Sequence, residues 1–356
     1  MLSSASVKAH ARGLGFDACG VAPAEGFPEL RFLRDWLSRG YAGSMGYLPR
    51  TAERRSDVRH VLPSARSVIV TATLYNTDRP YSIESTDPAE ALVSRYGWGE
   101  DYHLVIGRRL DAMLAWMREQ HGAPFEARCH VDTGPVQERV YAQHAGLGWI
   151  GKNTCLINPG LGSFVFLAEI VCSLGLEPDA PELDRCGNCE LCLEACPTGA
   201  LVEARVLDAT RCLSYLTIER KGTLPEPQRE SLGRHVFGCD ICQDVCPWNL
   251  AAAATSDGCW LPRAGLDRPR LADLWRRSDA DLRRLIEGTP MTRPGLAGLR
   301  RNLAVAAGNS REKCAIEALT EGESSRMSGD VSLGDATVRE HVIWALRRGS
   351  REARRG

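Results

Sequence analysis

The chain has no apolar run long enough to cross a membrane. A span needs about 18 predominantly apolar residues, and the best candidate, Phe164 to Leu176, is interrupted by Glu169. The opening stretch, Met1 to Gly20, lacks the apolar centre of a secretory signal and carries no twin-Arg leader. No sign of charge dominates: 44 Lys and Arg stand against 45 Asp and Glu, a net −1. That balance argues against wholesale polyanion binding, although it leaves room for a local basic patch. Hydrophobic content of 44% and charged content of 25% are those of a globular protein, and 356 residues suffice for two or three domains.

Cysteine is what the chain has in excess. Fourteen of them without a secretory leader point to a reducing compartment and to metal ligation, so the expected location is cytoplasmic, with no membrane partner. Eight lie between Cys186 and Pro247. The run Cys186-Gly-Asn-Cys189-Glu-Leu-Cys192-Leu-Glu-Ala-Cys196-Pro197 has the spacing C-x2-C-x2-C-x3-C-P. In that pattern three thiolates hold one iron–sulfur cluster and the fourth reaches to a second. Cys239-Asp-Ile-Cys242-Gln-Asp-Val-Cys246-Pro247 repeats it one cysteine short, and Cys212 is the natural replacement. The crossover rule then assigns Cys186, Cys189, Cys192 and Cys246 to one four-iron cluster, and Cys196, Cys212, Cys239 and Cys242 to the other. Paired C-x2-C motifs also suit zinc knuckles, but zinc would not need a run ending twice in Cys-Pro. The remaining six (Cys19, Cys129, Cys155, Cys172, Cys259 and Cys314) are expected to be buried thiols.

The rest of the chain gives weaker signals. Helical periodicity appears over Val7 to Leu14, Leu30 to Arg39, Leu104 to Gln120 and Val136 to Ala145. Ser67 to Leu74, Phe125 to Val131 and Ser163 to Val171 read as strands. Asp101 stands where it would cap the third helix. The pair Asp101-x-His103 is not a D-x-H-x-x-G cobalamin signature, because Ile106 occupies the glycine position. On residue type alone Asp132, at the end of a strand, reads as a turn former. The stretch Gly146 to Thr154 resembles an anion-cradling loop but carries no G-x4-G-K-[ST] and is not read as a dinucleotide fingerprint. Beyond Pro247 the composition becomes Arg-rich, with a helix expected over Leu271 to Ile286. Two Ala/Leu-lined segments, 298–309 and 335–346, look like halves of helical repeats.

Taken together these stretches resemble the epoxyqueuosine reductase family. The resemblance rests on Met45-Gly-Tyr-Leu48 with Arg55, Gly99-Glu-Asp-Tyr-His103 and Val131-Asp-Thr-Gly-Pro135. It extends to Gly148-Trp-Ile-Gly-Lys-Asn-Thr154, the double cluster motif, Cys212-Leu-Ser-Tyr-Leu-Thr217 and the terminal repeats. It implies an α+β fold in three parts: a nitroreductase-like corrinoid-binding domain over 1–178, a ferredoxin-like double 4Fe–4S module over 179–255, and HEAT-like helical repeats over 256–356. It implies cobalamin and two 4Fe–4S clusters as cofactors. The implied substrate is epoxyqueuosine at the wobble position of tRNAs with GUN anticodons (Asp, Asn, His, Tyr). The implied electron donor is of ferredoxin or flavodoxin type, and a monomer is expected. Asp132 matches the proton donor, and an acid in a pocket is expected to have a raised pKa. Arg55, Tyr102, His103, Arg139, Lys152, Asn153, Thr154 and Ser214 match cobalamin-contact positions. Arg276, Arg277, Arg300 and Arg301 are the expected tRNA phosphate contacts.

Overall fold

A computed structural model of the chain describes residues 2–324 and 334–352. The Ser/Gly-rich stretch 321–332 therefore lies mostly outside the described residues. The N-terminal half is built on a four-stranded antiparallel sheet. Helix α1 (Ser4–Gly13) starts three residues before its apolar periodicity because Ser3 and Ser6 cap it reciprocally. It leads into strand β1 (Ala18–Pro23). The helix expected over Leu30 to Arg39 divides at its start, with a tight turn at Pro28–Arg31 before Phe32–Ser38. Helix α2 (Tyr47–Arg55) and strand β2 (Ser67–Leu74) follow. Helix α3 (Tyr102–His121) is capped by Asp101, whose side chain accepts from His103 N. Strand β3 (Ala127–His130), helix α4 (Glu138–His144) and strand β4 (Val165–Cys172) complete this half.

The sheet order is β1-β2-β4-β3. Strand β2 is buried along its whole length because apolar cores cover both faces of the sheet. One core holds Val7, Ile69, Ile106, Leu110 and Ile170; the other holds Val68, Val70, Val140, Tyr141 and Leu167. Glu169 pairs in register with Val70 on one side and His130 on the other, so an acid sits in the middle of the sheet. The Gly146–Gly151 stretch does have G-x-G-x-x-G spacing. It leaves a helix and enters the two-residue strand Trp149–Ile150, so the strand–turn–helix setting of a dinucleotide site is absent.

In the cysteine-rich segment the one-turn helices Leu191–Glu194 and Ile241–Asp244 pack on each other. Helix α5 (Leu213–Ile218) follows Cys212. The helix expected over Leu271 to Ile286 is two, α6 (Leu271–Arg276) and α7 (Asp279–Ile286), because Ser278 caps the second. Helices α8 (Gly295–Ser310), α9 (Lys313–Ser324) and α10 (Ala336–Glu352) end the described chain. Gly308 lets α8 and α10 approach closely: a Cβ there would stand 2.8 Å from Ala345 Cα. One core runs through Val93, Leu216, Phe237, Leu271, Leu303 and Val342, joining these helices to the cysteine-rich segment.

Two of the expected phosphate contacts are overturned. Arg300 and Arg301 are 0% and 1% exposed. Arg300 donates to the carbonyls of Trp275 and Arg277 and pairs with Asp279 at 3.3 Å. Arg301 donates to the carbonyls of Leu216, Arg220 and Gly222. Their guanidinium forks satisfy carbonyls at the end of α6 and in and after α5 that would otherwise be buried unpaired. Arg276 and Arg277 are exposed, with Arg276 paired to Glu321 at 2.8 Å.

Candidate functional site

The sheet delivers Asp132 two residues beyond β3, in the left-handed region at φ 54. Gly134 makes the turn possible, since a Cβ there would meet the His130 ring at 2.5 Å. Arg55 Nη1 donates to Val136 O at 3.0 Å and Gln137 Nε2 donates to Arg55 O at 2.9 Å, clamping the turn to α2. Half of the Asp132 side chain (52%) remains open.

The carboxylate is gripped from α3. Tyr102 Oη donates to Asp132 Oδ2 at 2.9 Å. His103 Nε2 lies 3.4 Å from the same oxygen, an ion-pair separation without hydrogen-bond alignment. Its Nδ1 is 2.8 Å from Asp101 Oδ1. The Tyr102 ring stacks on Phe166, with centroids 4.5 Å apart. Burial opposes a charge on His103, but its contacts to Asp101 and Asp132 outweigh it and raise the imidazole to about 9. Desolvation alone would push Asp132 up; the close contact and charge of His103, the hydrogen bond from Tyr102 and the charge of Arg139 hold it below its ordinary value. The expectation of a raised Asp132 pKa is thus corrected: its partners favour the anion.

The raised acids are its neighbours. Burial and the charge of Asp132 lift Glu138 to about 7. Glu169, 1% exposed, is held well above the usual carboxylate range by burial and by the charges of Glu138 and Asp132. Glu138 passed in the sequence as one polar residue of a helix, and Glu169 only as a break in an apolar run. An acid inside a strand was the signal that could have found it.

The other expected cofactor contacts divide. Arg139 donates to Thr154 O at 3.0 Å and stays exposed near Asp132. Lys152 Nζ is 3.9 Å from Glu190, and Thr154 sits at φ 68. Asn153 is only 3% exposed; it donates to Cys242 O at 3.2 Å and accepts from Cys155 N at 3.1 Å. It ties the loop to the cysteine-rich segment. The Ser214 hydroxyl favours the Cys212 thiolate, placing it at the cysteines too.

The eight cysteines fall into two neighbourhoods. Cys186 and Cys246, distant in sequence, share a small core with Trp149 and Trp248, and Trp149 Nε1 donates to Cys186 Sγ at 3.4 Å. Burial and the charges of Cys186 and Cys192 push the Cys246 thiol up to about 11, and burial with the charges of Cys186 and Cys189 raises Cys192. Separately, Cys212 is raised by burial and the charge of Cys196, and Cys239 by burial and the charge of Cys212. Cys242 is raised by a contact with Cys155, by burial and by the charges of Cys239 and Cys212. Of the six other cysteines, Cys155 adjoins this second group, and Cys314 is exposed rather than buried.

The family description "4Fe-4S double cluster binding domain" matches residues 185–249, and that of epoxyqueuosine reductase QueG matches residues 55–133. An epoxyqueuosine reductase of Pseudomonas aeruginosa is 40% identical over 346 residues, covering 96% of this chain and 93% of its own. The chain belongs to the epoxyqueuosine reductase family. The Escherichia coli epoxyqueuosine reductase is 36% identical, covering 94% of this chain and 86% of its own. A solved epoxyqueuosine reductase holding an epoxyqueuosine-modified tRNA-Tyr stem loop superposes with a TM-score of 0.84 at 30% identity, over 97% of this chain and 89% of that one. One from Bacillus subtilis, with its catalytic aspartate loop swung out of the active site, gives 0.86 at 29% identity, over 97% and 90%. Membership makes the chain an oxidoreductase with a double 4Fe–4S domain in an α+β fold. No helix among the described residues is long and apolar enough to cross a membrane.

Proposed function

We propose that the chain reduces epoxyqueuosine to queuosine at the wobble position of tRNA, with Asp132 as proton donor. The observation that carries this reading is the junction of the two sites. The loop that meets Arg139 through Thr154 O also holds Cys242 through Asn153, so the arginine whose charge bears on Asp132 and the second group of thiols share one loop. The double-cluster match and the two neighbourhoods of four thiols support Cys186, Cys189, Cys192 and Cys246 as ligands of one cluster. They equally support Cys196, Cys212, Cys239 and Cys242 as ligands of the other. Burial raises the Cys192, Cys212, Cys239 and Cys246 thiols, and the contact with Cys155 together with burial raises Cys242. Hydrogen bonds from the backbone and Thr198 instead lower Cys196 against its burial; iron would supply the positive charge that releases the protons.

The residues at Asp132 also suit a corrin. Glu169 Oε1 and His130 Nε2 are buried without hydrogen-bond partners on the sheet face that packs α4, and beyond β3 the Asp132 and Arg139 side chains stay exposed. The stacked Tyr102 and Phe166 give an aromatic floor, and Arg139, Lys152 and Thr154 give a polar rim for the amide fringe. Cobalamin bound there would supply a low-potential cobalt centre for passing electrons to the substrate. Deoxygenation takes two electrons and two protons: the epoxide C–O bonds break, a C=C bond forms, and oxygen leaves as water. Tyr102 and His103 aim the Asp132 carboxyl, and Arg55 fixes the turn that carries it.

The stem-loop contacts move to residues that are open. Arg50 and Arg54 on α2, with Arg277, face solvent. Arg293 lies over Tyr47, whose own ionisation feels Asp132, so this arginine stands at the pocket's edge. HEAT-like packing of α8 with α10, the division at 178 and 255, a monomeric cytoplasmic chain, GUN-anticodon tRNAs and a ferredoxin- or flavodoxin-type donor complete the reading. The test is anaerobic turnover of epoxyqueuosine-containing tRNA with and without cobalamin, read by the mass of the released nucleoside. Loss of one oxygen only when cobalamin is present is the expected result; no loss from protein holding both clusters and cobalamin overturns the reading.

A further inference from the structure

The reaction consumes two protons for each oxygen removed, while Asp132 can hold one, and its partners Tyr102 and His103 favour its ionised form. A second carrier has to stand within the closed part of the site. Glu169 is placed by strand register beside His130, two residues before Asp132, and its face of the sheet packs against α4, which begins with Glu138. Its Oε1 is buried with no hydrogen-bond partner. We propose that Glu138 and Glu169 form a proton store behind Asp132, Glu138 returning a proton to Asp132 after that residue has protonated the departing oxygen. This rests on the reading of Asp132 as the acid.

The surroundings of Glu138 favour the role. From the turn it faces Asp132, from α2 Arg55, from α3 Tyr102, from β4 Glu169 and from its own helix Arg139. The two arginines and the Asp132 backbone N–H favour its anion, while burial and the two acids favour its neutral form. The balance leaves it near 7, where it both holds and yields a proton. Glu169 has only the distant Arg55 against it and stays neutral, a reserve behind Glu138. Each cycle then delivers two protons to the oxygen: Asp132 gives the first, Glu138 refills Asp132, and Asp132 gives the second, so that oxygen leaves as water while Glu138 is reprotonated from Glu169 and solvent. The two electrons come through the clusters from the ferredoxin- or flavodoxin-type donor of the proposed reaction, and that donor is the reductant the balance requires.

Neither acid touches substrate, so the test separates relay from architecture. Glu138→Gln, Glu138→Asp, Glu169→Gln and Asp132→Asn are compared as holoenzymes with cluster and cobalamin absorbance matched to wild type. In wild type, kcat should fall as pH rises through about 7. Glu138→Gln should lower kcat roughly 100-fold at unchanged KM and remove that limb; Glu138→Asp should restore it. Infrared difference spectra of the substrate-free proteins, wild type minus Glu138→Gln, should show a carboxylic acid C=O band lost through pH 7, since Asp244, also lifted to about 7, contributes to both and cancels. A second band that persists at higher pH should vanish in Glu169→Gln. A Glu138→Gln enzyme with the wild-type pH profile, or wild-type protein lacking both the Glu138 and the Glu169 band, overturns the store while Asp132→Asn inactivity leaves the acid in place. An active Asp132→Asn enzyme instead removes the acid and the store together.

Discussion

The Asp132 pocket and the cysteine-rich segment set the protonation of their groups in opposite ways. In the pocket each charge answers to a partner within the chain. Asp101 and Asp132 keep His103 charged, and His103 with Tyr102 keeps Asp132 ionised against its burial. Among the cysteines, burial leads the rise at Cys192, Cys212, Cys239 and Cys246, and neighbouring thiols add to it. The chain stabilises a thiolate at Cys196, where Ala200 N donates to the sulfur, but at these four burial prevails over their hydrogen bonds, so there the charge has to arrive with metal. The pocket is therefore organised by the fold alone, and the thiols become ligands only when iron binds.

The largest effects should come from breaking the metal-dependent side. Cys246→Ser is expected to abolish turnover and to lower bound iron to about half, since the second set of thiols is untouched. Iron analysis and visible absorbance would show it; full iron content would remove Cys246 from the ligand set. The pocket should break without disturbing the metal. Asp132→Asn keeps the shape but removes the carboxylate that takes up a proton and passes it to the oxygen, so turnover should fall by about 100- to 10,000-fold at full iron content. Single-turnover assays on cluster-replete protein check this.

The same contrast explains what could be read from sequence. Cluster ligation needs fixed local spacing, so Cys186 to Pro247 was legible without a fold. The strands were legible too: Ser67–Leu74 appears where its β-branched run placed it, because burial on both faces selects such residues. Asp132 was legible only through resemblance, since nothing local separates it from a turn-forming Asp. Its lowered pKa was not legible at all, because it depends on Tyr102 and His103, thirty residues away in the chain. Arginine misled for a related reason. Charge on a helix reads as surface, yet Arg300 and Arg301 are long enough to carry guanidinium groups to buried carbonyls.

That misreading yields a smaller contrast between arginines of identical chemistry. Arg301→Ala would strip donors from the carbonyls of Leu216, Arg220 and Gly222 in a closed core. It should cost about 3 to 5 kcal/mol of stability, read from denaturant unfolding of cluster-replete protein. Arg50→Glu with Arg54→Glu, both exposed, should leave stability alone. It should weaken tRNA binding roughly tenfold and flatten its salt dependence. Equal destabilisation by the two changes, or unaltered tRNA affinity, would erase the distinction.

The smallest effect tests whether the pocket is organised before any cofactor or substrate arrives. His103 is raised from 6.5 to about 9 by Asp101 and Asp132. A group whose folded pKa is raised stabilises fully below its unfolded value and loses that contribution as pH climbs to the folded one. Its window is thus pH 6.5 to 9, and stability falls across it. Glu138, raised from 4.5 to about 7, also lowers stability with rising pH, but between 4.5 and 7. Thermal melts across pH 4 to 10 should therefore show two successive declines. His103→Gln should flatten the upper one and spare the lower, whereas Glu138→Gln should spare the upper and lessen the lower, to which Asp244, raised from 3.8 to about 7, also contributes. If His103→Gln leaves the upper decline unchanged, the imidazolium is not held by the two aspartates, and the pocket is not organised by the chain alone.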